Sequence, residues 1–242
     1  MTTGFRNVRE LVDAEIEGAA KFSTWRKQPT QTTASGFWFD LSMSPGNPNP
    51  QYYAASPGVS VAMSQSSDGG IFHGGNVSPA RKYLRRMMAM TVTATAVPMP
   101  MILLDYLLYY PFIDESSTDE QLLTNSVALP RYATGAGVQM MAVAVAAQTG
   151  GQTFQVSYTN SDGVAGRTSK TVTMSTQSVN GTIVTTASTN SGGPFIGLQN
   201  GDSGVRSIES VTMNGIDVGL FTLVLVKPIA QMSIRANTSP VE

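Results

Sequence analysis

The sequence predicts a mainly β fold: a β-sandwich or jelly-roll-like barrel that follows a short N-terminal helix and a long loop-rich arm. Turn signals such as Asn180-Gly181 and Asn214-Gly215 separate several β-prone runs, and Asn-Gly favours hairpin turns because type I′ turns need positive φ at both central residues. The runs are rich in Val, Thr, Ile and Phe and cover residues 138–147, 152–159, 170–176, 181–187, 205–213 and 216–226.

The individual runs have the character of strands. Phe154, Val156 and Tyr158 alternate with polar residues, which is the pattern of a half-buried strand. The run 91–97 (TVTATAV) is a further strand candidate. The most apolar run, 99–113, contains Asp105 and is too short to cross a bilayer as a helix, so we predict that it is buried core.

The N-terminal third has a different composition. Apolar residues at three- and four-residue spacing between Phe5 and Ala19 predict an amphipathic helix, and packing on its own domain is favoured over packing on a neighbour. Residues 27–79 are rich in Pro, Gly, Ser, Asn and Gln, which predicts an extended arm or a set of long loops. Ser78-Pro79 resembles a helix start, so a short basic helix should follow. The predicted division is 1–90 for helix and arm and 91–242 for the β domain.

Two groups of residues in that third are predicted to form an interface. Large aromatic residues are rare in free linkers, so a partner should bury those of the arm. The basic cluster could meet an acidic partner surface or nucleic acid, but a solvated helix face is the favoured interpretation. The candidates are Phe37, Trp38, Phe39, Tyr52, Tyr53, Arg81, Arg85 and Arg86.

Composition excludes several classes of protein. The chain has no cysteine, one histidine, 13% charged residues and a formal net charge of −1. Thiol chemistry is therefore impossible, and no strong field attracts nucleic acid or anionic lipid. The first residues lack the apolar segment of a secretory signal. We expect no cofactor, no metal, no membrane association and no small-molecule substrate; Asp114-Glu115 and Asp119-Glu120 come closest to a cation site.

One motif points to catalysis. Gly201-Asp202-Ser203-Gly204 is similar to the nucleophile loop of chymotrypsin-like serine proteases, and His73 with Asp105 would complete the order His, Asp, Ser. However, His73 lacks that family's preceding small-residue motif, and Val205 replaces a usual glycine. A β-turn held by Asp202 and Ser203 is the favoured interpretation, and no catalytic residue is predicted.

Taken together, residues 36–75 (GFWFDLSMSPGNPNPQYYAASP onward) and the hairpins of 132–174 resemble virion structural proteins of tailed bacteriophages, most closely the decoration or cement proteins of the head. The resemblance implies a non-enzymatic homo-oligomer that stabilises a capsid by binding the major capsid protein, in a virion assembled in the host cytoplasm. A tail or receptor-binding component is the alternative, but a long fibre would show sequence repeats, and none is apparent. A hydrolase using Ser203 ranks below both.

Overall fold

The computed structural model describes residues 4–29, 36–64, 69–75, 77, 82–93, 97–176, 179–184 and 193–241. Helix α1 and eleven strands, with a 3-10 turn at Leu41–Met43, account for the regular structure of these residues. Their bounds are α1 Val8–Ile16, β1 Arg26–Lys27, β2 Gly46–Asn47, β3 Val61–Ala62, β4 Met99–Asp114, β5 Gln121–Leu122, β6 Gln139–Ala144, β7 Thr153–Asn160, β8 Arg167–Thr168, β9 Val172–Thr173, β10 Val205–Met213 and β11 Leu220–Ile234.

Two antiparallel sheets form the body. One has the order β3-β4-β11-β6, and the other has the order β5-β10-β7-β8, with β9 also paired to β7. A separate pair joins β1 to β2. The predicted mainly β fold with one short N-terminal helix is therefore confirmed, and the arrangement is a β-sandwich.

The main core combines apolar side chains from both large sheets. Every second residue of β7 is buried, because its Phe154, Val156 and Tyr158 enter the core while the residues between them are only partly covered. Phe221, Leu223 and Leu225 of β11 belong to the same cluster. The rings of Phe154 and Phe221 lie 4.8 Å apart, so the contact joins strands of different sheets.

The opposite face of β11 is buried as well. Val224 and Val226 belong to a second apolar cluster with Tyr109 of β4 and Tyr53. The N-terminal segment supplies the cover, since Trp38, Met43, Val61 and Met63 also pack there. The predicted extended arm is not confirmed, because the aromatic and apolar residues between 38 and 63 bury this face of their own sheet.

Strand β4 was predicted only as buried core. Its run is almost continuously apolar because the sheet is covered on both faces, so no alternation reveals the strand. The four residues Leu107 to Tyr110 are all buried, which confirms the predicted burial of this part of the run.

Two helix predictions have different outcomes. Helix α1 begins after the N-cap Asn7, whose side chain accepts a hydrogen bond from the Glu10 amide at 2.9 Å. None of its residues is buried, so the predicted packing of this helix on its own domain is not confirmed. The predicted basic helix is wrong for residues 82–90, because these residues form no helix. Residues 78–81, at its expected start, lie outside the described residues.

Two strand predictions fall partly outside the described residues. Thr182 and Ile183 form isolated bridges with Phe39 and with Val143 of β6, but 185–187 are not described. Of the run 91–97, residues 94–96 are not described, and 91–93 have no strand.

Candidate functional site

Most of the large apolar side chains that remain exposed belong to residues 5–92, and we call them the N-terminal surface. Val8 and Ile16 of α1 are 75% and 79% exposed, and they lie on one side of the helix together with Val12 because they are four residues apart. The members are Phe5, Val8, Val12, Ile16, Phe22, Tyr52, Ile71, Phe72, Val77, Tyr83, Leu84, Met88, Met90 and Val92.

Several contacts hold the stretches of this surface together. The ring of Phe5 lies 5.7 Å from that of Tyr83, and Glu15 of α1 forms an ion pair with Arg85. The Ser23 hydroxyl donates to the carbonyl of Phe72. These links join the α1 region to residues 83–85 and the segment after α1 to residue 72, so the apolar residues of these stretches lie in adjoining parts of the structure.

The predicted interface aromatics separate into two groups. Tyr53 is 8% exposed and its ring lies 4.9 Å from that of Tyr109, so its own chain covers it. Trp38 packs against the same cluster, while Phe37 and Phe39 are partly buried. Trp38 and Tyr53 therefore do not need a partner molecule to cover their rings. Tyr52 is 79% exposed and belongs to the N-terminal surface.

The predicted basic cluster lies beside that surface. Arg85 is exposed and pairs with Glu15, and Arg86 is exposed as well. Arg81 lies outside the described residues. The pairing with Glu15 ties Arg85 to α1, so this arginine helps to position the helix against its neighbouring segment.

The Gly-Asp-Ser-Gly motif is a turn that anchors its aspartate. Tyr158 donates to Asp202 Oδ2 at 2.6 Å, Arg167 Nε donates to the same oxygen at 3.0 Å, and Asn160 Nδ2 donates to Oδ1 at 2.8 Å. The bond from Arg167 is the main cause that lowers the pKa of Asp202 to about 2. The carboxylate thereby joins β7 and β8 to the turn before β10.

The three side chains of the hypothetical catalytic triad have separate partners. The Ser203 hydroxyl lies 3.1 Å from that of Ser161, and Nδ1 of His73 lies 3.2 Å from Lys82 Nζ. Asp105 forms an ion pair with Arg131. A serine nucleophile needs a histidine within hydrogen-bond reach, and the structure does not bring these residues together.

A buried carboxylate lies in the turn after β4. Glu115 is fully buried, and neither of its carboxylate oxygens has a hydrogen-bond partner. Burial is the main cause that raises the pKa of Glu115 to about 8, and the charges of Asp217 and Asp114 act in the same direction. The sequence showed only that two acidic residues are adjacent. Burial of Glu115 depends on contacts with residues distant in the chain.

One small cleft lies beside the 3-10 turn at Leu41–Met43. This cleft is lined by Phe39, Asp40 and Met43 and has a volume of about 20 Å³, which suffices for one water molecule. Among the described residues, no three His, Asp or Glu side chains cluster as metal ligands. No helix in those same residues combines the length and the apolar character needed to span a bilayer.

Comparison with protein-family models, curated proteins and solved structures yields no match to this chain.

Proposed function

We propose that this protein is a non-enzymatic structural subunit of a tailed-phage head, a decoration or cement protein that binds copies of itself and the major capsid protein through its N-terminal surface. The observation that carries the proposal is that most of the exposed large apolar side chains belong to residues 5–92, beside a body whose two main apolar clusters are buried. Its place of action would be the virion.

The physical argument rests on the cost of leaving apolar groups in water. Large exposed apolar patches on a soluble protein mark surfaces that another molecule covers. Val8 and Ile16 are each more than 70% exposed, and covering such a side chain yields about 1.5–3 kcal/mol. Helix α1 offers both residues on one side, so it could enter an apolar groove of a neighbouring subunit.

The hydrolase alternative has less support. The motif that suggested hydrolysis forms a turn whose aspartate is committed to Tyr158, Asn160 and Arg167. The choice of a phage head over another assembly rests on the resemblance in the sequence of residues 36–75 and 132–174.

Substitutions on the helix test the proposal better than a deletion, because residues 38–63 belong to the second apolar cluster. Purified phage heads that lack this subunit are mixed with wild-type protein or with the double variant Val8→Ser/Ile16→Ser, and then sedimented. The wild type should co-sediment at a fixed number of copies per head, and the double variant should bind at least tenfold more weakly.

A matched control is available on the body. Ile216→Ser/Val218→Ser changes the same two residue types at positions that are 66% and 65% exposed, and it should bind heads like the wild type. Failure of the wild type to bind heads would contradict the proposal, and binding to isolated tails would favour the tail component. Equal binding by both double variants would show that the N-terminal surface is not the interface.

A further inference from the structure

The end of the four-stranded sheet contains a buried acidic side chain that has no hydrogen-bond partner in the fold. Glu115 follows β4 directly, and its backbone is tied to the start of β11: its carbonyl accepts from the Asp217 amide at 2.8 Å, and its amide donates to the Gly219 carbonyl at 3.4 Å. Both carboxylate oxygens of Glu115 are buried without a partner. Since buried polar groups are normally bonded, this carboxylate calls for an explanation.

Oxygen atoms converge beside Gly219. A Cβ placed on this glycine would lie 2.9 Å from Glu115 Oε2, 2.7 Å from the Ala147 carbonyl oxygen and 3.0 Å from Gln148 Cβ. Gly219 has φ +134°, and the missing side chain lets these three groups approach its backbone. We call this arrangement the Gly219 cradle.

Gln148, whose Cβ borders the cradle, has an unbonded oxygen of its own. The residue is 3% exposed, and its Nε2 donates to the Ser175 carbonyl at 2.8 Å, which identifies Oε1 as the acceptor end of the amide. Gln148 Oε1 is buried without a hydrogen-bond partner. Two side chains that border Gly219 therefore have buried unbonded oxygens, and neither of these oxygens carries a proton when Glu115 is ionised.

A second carboxylate, that of Asp217, adds negative charge near the cradle, but its oxygens already accept hydrogen bonds and do not need a cation. Asp217 is 3% exposed and accepts hydrogen bonds from the amides of Thr149, Gly150 and Val218 at 3.2, 2.7 and 2.7 Å. Its charge is thus solvated by the backbone, while that of Glu115 is not. An uncompensated buried charge is costly unless a cation or a proton neutralises it.

We propose that the Gly219 cradle binds one calcium ion, with the Glu115 carboxylate, Gln148 Oε1 and the Ala147 carbonyl as ligands and water in the remaining positions. Calcium accepts carboxylate, amide and carbonyl oxygens in irregular arrangements, whereas magnesium needs a nearly ideal octahedron. The absence of nitrogen and sulfur from this ligand set disfavours zinc and copper. The ion would join the ends of β4 and β11 to the segment after β6.

The test uses the full chain, stripped of metal with EDTA and then titrated with calcium chloride. Isothermal titration calorimetry should give one site, and at a calcium concentration a hundred times Kd the Tm should rise by about 5 °C or more. Magnesium should bind at least tenfold more weakly. Glu115→Gln keeps the shape of the side chain and should abolish both signals, while Asp119→Asn, an exposed acid of the same loop, should keep both.

Three outcomes would overturn the proposal. Wild-type protein that shows neither heat nor a Tm change in 10 mM calcium would mean that Glu115 is neutralised by a proton. An undiminished calcium response in Glu115→Gln would place the ion elsewhere. If Glu115→Gln does not fold, Gln148→Leu is measured instead; at least a tenfold weaker Kd supports the site, and an unchanged Kd excludes it.

Discussion

Adjacent tyrosines provide a direct test of whether the N-terminal segment is part of the folded body. Tyr53 is 8% exposed and packs on Tyr109 at a ring distance of 4.9 Å, whereas Tyr52 is 79% exposed. Truncation of a buried aromatic side chain typically costs about 3–5 kcal/mol, and an exposed one changes stability by at most about 0.5 kcal/mol. Tyr53→Ala should therefore lower the free energy of unfolding by about 3–5 kcal/mol, and Tyr52→Ala should leave it nearly unchanged.

The assay is equilibrium unfolding in guanidinium chloride followed by tryptophan fluorescence. Trp38 packs against the same cluster as Tyr53, so it reports on the region that the substitution affects. The midpoint should fall for Tyr53→Ala with little change in slope. If both variants lose less than about 0.5 kcal/mol, residues 38–63 do not cover the sheet, and our account of the second apolar cluster is wrong.

Three other substitutions test local features. Asp202→Asn should lower the free energy of unfolding by about 1–2 kcal/mol at pH 7. The pKa of Asp202 is lowered from its usual 3.8 to about 2, so the ionised carboxylate stabilises the fold only above this range. In urea titrations, the difference in unfolding free energy between the variant and the wild type should therefore vanish as the pH falls from 3.8 to about 2. Gly219→Ala should lose at least about 1 kcal/mol more than Gly151→Ala in thermal unfolding, because both residues have positive φ but only the Gly219 Cβ would meet neighbouring atoms. Ser203→Ala should leave the Tm within about 2 °C of wild type, and loss of a peptidase or esterase activity in this variant would contradict the non-enzymatic assignment.

The sequence was most informative where one face of a strand is solvated. The alternation of Phe154, Val156 and Tyr158 predicted β7 to within one residue at each end, and β10 has its predicted bounds. Strand β4 has no alternation because its sheet is covered on both sides, so the pattern indicated burial without indicating a strand.

The N-terminal third was harder to predict, because its amino-acid composition indicates little regular structure but does not show which residues its side chains contact. Pro, Gly and Asn around residues 44–50 indicated an arm, while Trp38 and Tyr53 signalled that something covers them. The sequence pattern could not show whether these aromatic side chains are covered by a sheet of the same chain or by a partner molecule. Helix α1 posed the same ambiguity, and its Val8, Val12 and Ile16 are exposed.

The candidate sites depend on contacts across long stretches of chain. Asp202 meets Arg167, which is 35 residues away, and this pairing cannot be inferred from the four residues of the motif. Glu115 lies near Gln148 and Gly219 because the last residues of β4 and β6 lie beside the first residues of β11 in the same sheet. Sequence spacing shows that acidic residues are present, but their burial is a property of the folded chain.

The solution mass of the purified chain, measured by light scattering coupled to size exclusion, tests the central claim most directly. We expect a defined oligomer for the wild type and for Ile216→Ser/Val218→Ser, and a monomer for Val8→Ser/Ile16→Ser, because only the last variant alters the N-terminal surface. A wild type that remains monomeric at 100 µM, or an oligomer that survives the substitutions in α1, would contradict the claim that this surface mediates self-association.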